Sequence, residues 1–307
     1  MRRSLLDVLQ LGRQSKVKCS LPKARSSSAV AVQSCSAVKG PLQYTLLSKT
    51  QQSPDSQLLR FSLPHPYKFL GKDPRLPTCI KVVHPFGTAE DGKPKLLEKS
   101  YSPVSHPASE GFVDLLVKAY PPRPGGGVGA YLCGLQIGDV MSATFKSDRL
   151  MHGDAGVTRR WAHLGLVAGG TGIAPLIQIA RIILDDPADT THTRLLFVNR
   201  HEDDILMRAE LDHLARQHPG RFAVTFSLTG KALAPAGWTG YRGRGSLAMI
   251  AEALPQPTND GTTMVLVCGT DGFVSSWGGP VSRGPKGPHG QKGKKIQGPL
   301  IGLLADA

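Results

Sequence analysis

Between residues 164 and 184 the chain carries its plainest chemical signal. An apolar run, Leu164 to Ala168, breaks into Gly169-Gly170-Thr171-Gly172. It restarts at Pro175 with Leu176, Ile179, Ala180 and Ile183 along one helical face. Strand, glycine turn and helix in that order aim backbone N–H groups and a helix N-terminus at a phosphate. Proline suits the first helical turn, where its missing N–H would have had no partner. Two other readings fit the same residues. Such a turn can serve only to let a strand and a helix pack closely. The stretch is also apolar enough to resemble a membrane span, although its glycines, its proline and Arg181 count against spanning. The spacing differs from the G-x-G-x-x-G of ordinary dinucleotide folds.

The elements that must position this turn alternate. From Trp161 onward, strands are expected at 164–168, 194–199, 222–228 and 263–268, with helices at 175–184, 204–217 and 245–254. Strands this apolar, alternating with helices, predict a doubly wound parallel sheet covered on both faces. Ligands of such sheets sit outside the C-terminal strand ends, where Gly170, Gly172, Asn199 and residues 268–270 fall. Upstream, residues 42–145 read as short alternating runs, YTLLSKT, QLLRFSL, TCIKVVH, GFVDLLVKAY and DVMSATF, separated by Pro/Gly turns. That pattern predicts an antiparallel barrel. The expected fold class is β plus α/β, with three parts: a leader over 1–40, a barrel domain at 41–155, and a parallel-sheet domain at 160–307. The last carries a basic Gly/Pro/Lys-rich insertion at 278–299, expected to form a mobile loop.

Composition narrows the function classes. The 307 residues give room for two domains, and 40% hydrophobic with 20% charged residues is ordinary for a soluble protein. The net charge of +14 is concentrated at two places. Residues 1–54 hold nine Lys/Arg against Asp7 alone, and residues 281–299 hold Arg283, Lys286, Lys292, Lys294 and Lys295 with no acid. The body between them is about neutral, which argues against a nucleic-acid surface. Five cysteines, at 19, 35, 79, 133 and 268, show no paired spacing. They suit a reducing compartment and point away from disulfides or a metal site. Residues 1–40 are rich in Arg, Lys and Ser, and Leu5, Leu6, Val8 and Leu9 can share one helical face opposite arginines. This is the composition of a mitochondrial transit peptide, with a basic leader of a cytoplasmic protein as the alternative.

Several stretches in order resemble the NADH–cytochrome b5 reductase branch of the ferredoxin-reductase superfamily. SYSPVS at 100–105 is similar to its flavin motif, and GGGVGAYLCGLQIGD at 125–139 to its G-G-x-x-S-x-Y-L segment. GGTGIAP at 169–175 resembles its nucleotide motif. LLFVNRHEDDILMRAELDHL at 195–214 and Cys268-Gly269 match further family segments. The resemblance covers roughly residues 42–275. It implies a flavin-binding barrel followed by a nucleotide-binding domain, with FAD and NADH as cofactors and NADPH possible. Hydride would pass from nicotinamide to flavin, then single electrons to a haem protein such as cytochrome b5. The cofactors carry the redox chemistry, so the protein has to bind and orient them. Carried over by position, Lys99, Tyr101, Ser102, Pro103, Leu116, Val117 and Lys118 would line the flavin, with Gly127, Val128 and Gly129 at its phosphates. Gly170, Thr171, Gly172 and Pro175 would cradle the nucleotide, and Cys268 and Gly269 would border the nicotinamide. Ser102 and Cys268 would stand nearest the chemistry, and no metal is implied.

The chain also departs from the family pattern. Lys99 replaces an arginine, keeping the charge but losing two-pronged hydrogen bonding. Gly129 replaces a serine, and Thr270-Asp271 a proline pair. These changes motivate an alternative: a paralogue that has lost FAD and serves as a binding or scaffold protein. Where the family carries an NADH-selecting acid, this chain has Thr229, with Lys231, Arg242 and Arg244 nearby. Losing that carboxylate removes repulsion against a 2′-phosphate.

Overall fold

A computed structural model describes residues 7–10, 34–74, 76–88, 92, 94–120, 127–146, 161–231, 235–279, 281–283, 295–297 and 304. The first domain is a six-stranded antiparallel sheet of β2 (Leu42–Ser53), β3 (Ser56–Ser62), β4 (Ile80–Thr88), β5 (Pro94–Tyr101), β6 (Phe112–Lys118) and β7 (Val140–Phe145), in the order β5-β4-β7-β2-β3-β6. Alternate residues face one core, which holds Tyr44, Leu46, Leu59, Phe61, Ile80, Val82, Leu115, Val117 and Met141. The helix α1 (Val128–Gly134) packs against β4, β5 and β6, and so spans from one edge strand to the other. This is the expected barrel-like domain. Two of its elements lay outside the periodicity argument. β5 is mostly exposed along its length, so it shows no alternation, and α1 is a single short helix rich in glycine.

The second domain is the expected parallel sheet. β8 (His163–Gly169), β9 (His192–Asn199), β10 (Phe222–Leu228) and β12 (Thr263–Cys268) stand in the order β12-β8-β9-β10, with the two-residue β11 (Tyr241–Arg242) beyond β10. The helices are α2 (Ile173–Asp185), α3 (Arg208–Gln217), α4 (Leu247–Ala253) and α5 (Asp271–Gly278). Some boundaries differ from expectation. Residues 170–172 form a 3₁₀ turn and α2 begins at Ile173, so Pro175 is its third residue; no N–H in the first turn has an intrahelical partner, so proline is tolerated there too. α3 starts at Arg208 rather than 204, because Met207 adopts a left-handed conformation (φ 57°) between it and a short turn at Glu202–Asp204. α5 is started by Thr270, whose hydroxyl accepts from the Phe273 N–H at 3.2 Å.

One further strand, β1 (Asp7–Gln10), pairs in parallel with β12 over residues 264–267 at the sheet edge. It lies inside the expected leader. Extended pairing there supplies partners for an otherwise open edge, in place of the amphipathic helix anticipated. The basic insertion is closed at its base by an antiparallel pair, β13 (Val281–Arg283) with β14 (Lys295–Gln297). The tip of that expected loop, residues 284–294, lies outside the described residues. Among the described residues, no helix is long and apolar enough to cross a membrane.

Candidate active site

The flavin-side cradle is assembled from three separated pieces of the first domain. β5 delivers Tyr101 at its C-terminal end, β6 delivers Lys118, and α1 delivers Gly129 between them. A Cβ on Gly129 would lie 2.6 Å from the Lys118 carbonyl oxygen and 3.8 Å from the Tyr101 hydroxyl. Only glycine lets α1 approach β6 so closely, which gives the departure from serine a steric reason. Tyr101 is buried, and its hydroxyl has no partner among the described residues. Burial raises its pKa, with the Cys133 and Tyr120 groups adding to the shift, so the phenol stays protonated as a donor. Lys99 stands over the rings of Tyr101 and Tyr120, 5.3 and 5.5 Å from their centroids.

The remaining flavin-side residues divide by strand pleat. Leu116 is buried with the core of the second domain, whereas Val117 and Val128 point into the barrel core. Ser102 is half-buried and Pro103 buried, in the stretch that leaves β5. Gly127 precedes α1 in extended backbone and accepts from the Tyr131 N–H at 3.0 Å. Lys118 is engaged by Asp55 in the β2–β3 turn, at 2.5 Å, and Arg200 from the end of β9 reaches the same carboxylate oxygen at 3.1 Å. Partial burial pushes the Asp55 carboxyl up; the Lys118 hydrogen bond and charge, with the Ser56 and Ser53 hydroxyls, outweigh it and hold the group below the ordinary range.

The nucleotide-side cradle is contiguous in sequence apart from one neighbouring strand end. Gly170 has φ +52°, the left-handed conformation glycine adopts freely. A Cβ on Gly172 would lie 2.1 Å from the Cys268 carbonyl oxygen and 2.8 Å from the Gly269 nitrogen. The turn after β8 is therefore pressed against the end of β12, and Thr171, Pro175, Cys268 and Gly269 are brought together at the ligand end of the sheet. Cys268 is half-buried. β6 packs against this same turn, so the two cradles adjoin. Asn199, at the end of β9, is buried with neither side-chain amide atom partnered among the described residues. Buried polar atoms are nearly always satisfied, so unspent capacity at this place fits a polar ligand. Beyond β10, Thr229 donates to the Asn199 carbonyl, Arg242 donates to the Gly230 carbonyl at 2.7 Å, and Lys231, Arg242 and Arg244 are exposed.

Residues 43–146 match the family model of the oxidoreductase FAD-binding domain, and residues 166–277 that of the oxidoreductase NAD-binding domain. NADH-cytochrome b5 reductase 1 of Bos taurus is 37% identical over 250 residues, covering 76% of this chain and 78% of that protein. Its namesake in Laccaria bicolor is 34% identical over 234 residues, covering 76% and 70%. The chain belongs to the NADH–cytochrome b5 reductase family. The cytochrome b5 reductase domain of Ulva prolifera nitrate reductase superposes with a TM-score of 0.63 at 27% identity, covering 77% of this chain and 90% of that one. A flavohemoglobin from Malassezia yamatoensis, at 14% identity and a TM-score of 0.59, shares the fold.

This member of the family is thus an FAD- and NADH-dependent oxidoreductase. Bound FAD would supply the chemistry of hydride acceptance and one-electron release. The residues present fit that pair of cofactors: the Tyr101 hydroxyl has no partner among the described residues and can donate, Lys99 and Lys118 supply cationic charge, Gly170 takes the left-handed turn, and Gly129 and Gly172 let the elements of each cradle approach closely. Nothing in the cradles or among the relatives supports the scaffold alternative. Four residues escaped the motif argument: Asp55, Arg200, Gln178 and Arg181. Gln178 and Arg181 had a signal. IAPLIQIARIIL is apolar on almost every face, so a polar residue within it had to be at least partly buried.

Proposed function

We propose that the reduced flavin passes single electrons to a haem protein, cytochrome b5 or one like it. The names borne by the relatives carry this reading. The two matched domains account for FAD and the nicotinamide nucleotide. The basic 281–299 stretch can steer an acidic acceptor, an effect that weakens as ionic strength rises. Protein reduced anaerobically with NADH is mixed with oxidised cytochrome b5. Haem reduction in one-electron steps, slowing with added salt, is the expected result; flavin that stays reduced beside oxidised haem would sink the reading.

The residues beyond β10 support use of NADPH beside NADH. Thr229 presents no carboxylate to a 2′-phosphate, and Lys231, Arg242 and Arg244 add positive charge. Thr229→Asp is expected to lower kcat/KM for NADPH at least tenfold while changing that for NADH little; equal losses for both would remove the argument. The composition of residues 1–40 supports mitochondrial import. Imaging of the full chain and of one lacking those residues, each fused at its C-terminus to a fluorescent protein, tests it, and identical distributions would reject it.

A further inference from the structure

The helix α2 leaves the nucleotide cradle and, one turn later, grips the flavin motif. Gln178 is fully buried, at 0% exposure. Its side-chain amide oxygen accepts from the Thr78 backbone N–H at 2.7 Å and from the Thr78 hydroxyl at 3.4 Å. The same group donates to the Thr78 carbonyl at 3.2 Å and to the Pro103 carbonyl at 2.5 Å. All four bonds cross from the second domain to the first. Arg181, one turn further along, donates to the Val104 carbonyl and is paired from behind with Glu210. Val104 and Leu116 are buried among Ile173, Ile177 and Ala180, so the boundary around these bonds is apolar.

Pro103 and Val104 directly follow Tyr101-Ser102, and Gln178 lies in the helix that directly follows Gly170–Gly172. One rigid element therefore holds both motifs at once. An amide can do this because it offers a two-proton donor and a carbonyl acceptor on one planar group. In an apolar boundary, loss of either end leaves buried backbone groups unpaired. Hydride transfer demands reacting atoms within about 3–3.5 Å, and a displacement near 1 Å can slow such a step roughly a hundredfold.

We infer that Gln178 is a positioning residue for hydride transfer, setting the offset between the nicotinamide and flavin cradles through Pro103 and Thr78. Two full-length variants test this. Gln178→Met keeps the length and removes all four bonds; Gln178→Glu keeps the acceptor for the Thr78 N–H and hydroxyl and removes both N–H donors. In FAD-free protein, hydrogen exchange at the Thr78 amide reads the contact directly. It should accelerate at least tenfold in Gln178→Met and stay near wild type in Gln178→Glu. In FAD-loaded protein at saturating NADH, the limiting rate of flavin bleaching should fall at least tenfold in both variants. FAD content and the Kd for NADH should remain within about twofold. A merely structural role would lower the melting temperature and leave the limiting rate alone. A wild-type limiting rate in either variant overturns the inference. Variants that emerge unfolded or flavin-free overturn it as well, because the residue would then serve folding rather than alignment. The readout stops at the flavin, so its outcome is independent of which acceptor follows.

Discussion

The two cradles solve the same problem, holding a phosphate-bearing cofactor, by opposite means. The nucleotide cradle is a short continuous turn whose glycines present backbone, pressed against one adjacent strand end. The flavin cradle is discontinuous: Tyr101, Lys118 and Gly129 come from two edge strands and the helix that spans them. The first is as stable as its sheet, since Gly172 is wedged against Cys268. The second depends on how α1 seats against β6, and its Tyr101 hydroxyl has no partner among the described residues. Rigid geometry suits a nucleotide that must come and go at every turnover, and a cradle completed by its ligand suits a flavin that stays.

That contrast can be broken most severely at Gly172. A methyl group there meets the Cys268 carbonyl oxygen at 2.1 Å, with no flexible side chain to yield. Gly172→Ala should sit at or above the upper end of the roughly 1–3 kcal/mol that overpacking costs. It is expected to abolish NADH-dependent bleaching while the barrel still binds FAD. Normal bleaching by the variant would show that the turn is not wedged. Gly129→Ser is milder. It installs the family residue where Lys118 leaves no room, so melting should shift down by an amount equivalent to roughly 1–2 kcal/mol, with no gain in FAD affinity. Tighter FAD binding at unchanged stability would contradict the described approach of α1 to β6.

Tyr101→Phe separates the ligand's contribution from the fold's. Removing the hydroxyl should raise the Kd for FAD about five- to tenfold, roughly 1–1.4 kcal/mol, while FAD-free protein melts no lower than wild type. A lower melting point without FAD would mean that the hydroxyl has a protein partner. The smallest effect is expected at Asp55, between Lys118 and Arg200. Its carboxyl is held below its ordinary value, so the ion cluster adds stability above about pH 4 and loses it as the pH falls through the folded value. Because these side chains are partly exposed, Asp55→Asn should cost under about 1 kcal/mol, and less in high salt. A larger, salt-independent loss measured by denaturant titration at neutral pH would make this bridge a second structural anchor.

How far the chain could be read from its residues follows the same division. The strand-turn-helix at 164–184 was legible because its elements and its glycines are consecutive, and local periodicity reports consecutive residues faithfully. Five of the six strands of the first domain and the four main strands of the second followed for the same reason. β5 and α1 were not legible: an exposed edge strand has no buried face to alternate, and a seven-residue helix has too few turns to show a stripe. Motif resemblance pointed to the flavin residues, yet it could not say that Val117 faces the barrel while Leu116 faces the other domain, nor that Gly129 is sterically required.

From the sequence alone came the fold class, the two-domain order and the two motifs, since each rests on patterns repeated within a few residues. Tertiary structure decided which distant groups meet. Gln178 reaches Thr78 and Pro103 across 100 and 75 residues of chain, and Asp55 meets Arg200 across 145. Such pairs are set by how whole elements pack, and an isolated polar residue carries no sign of which backbone group it will find.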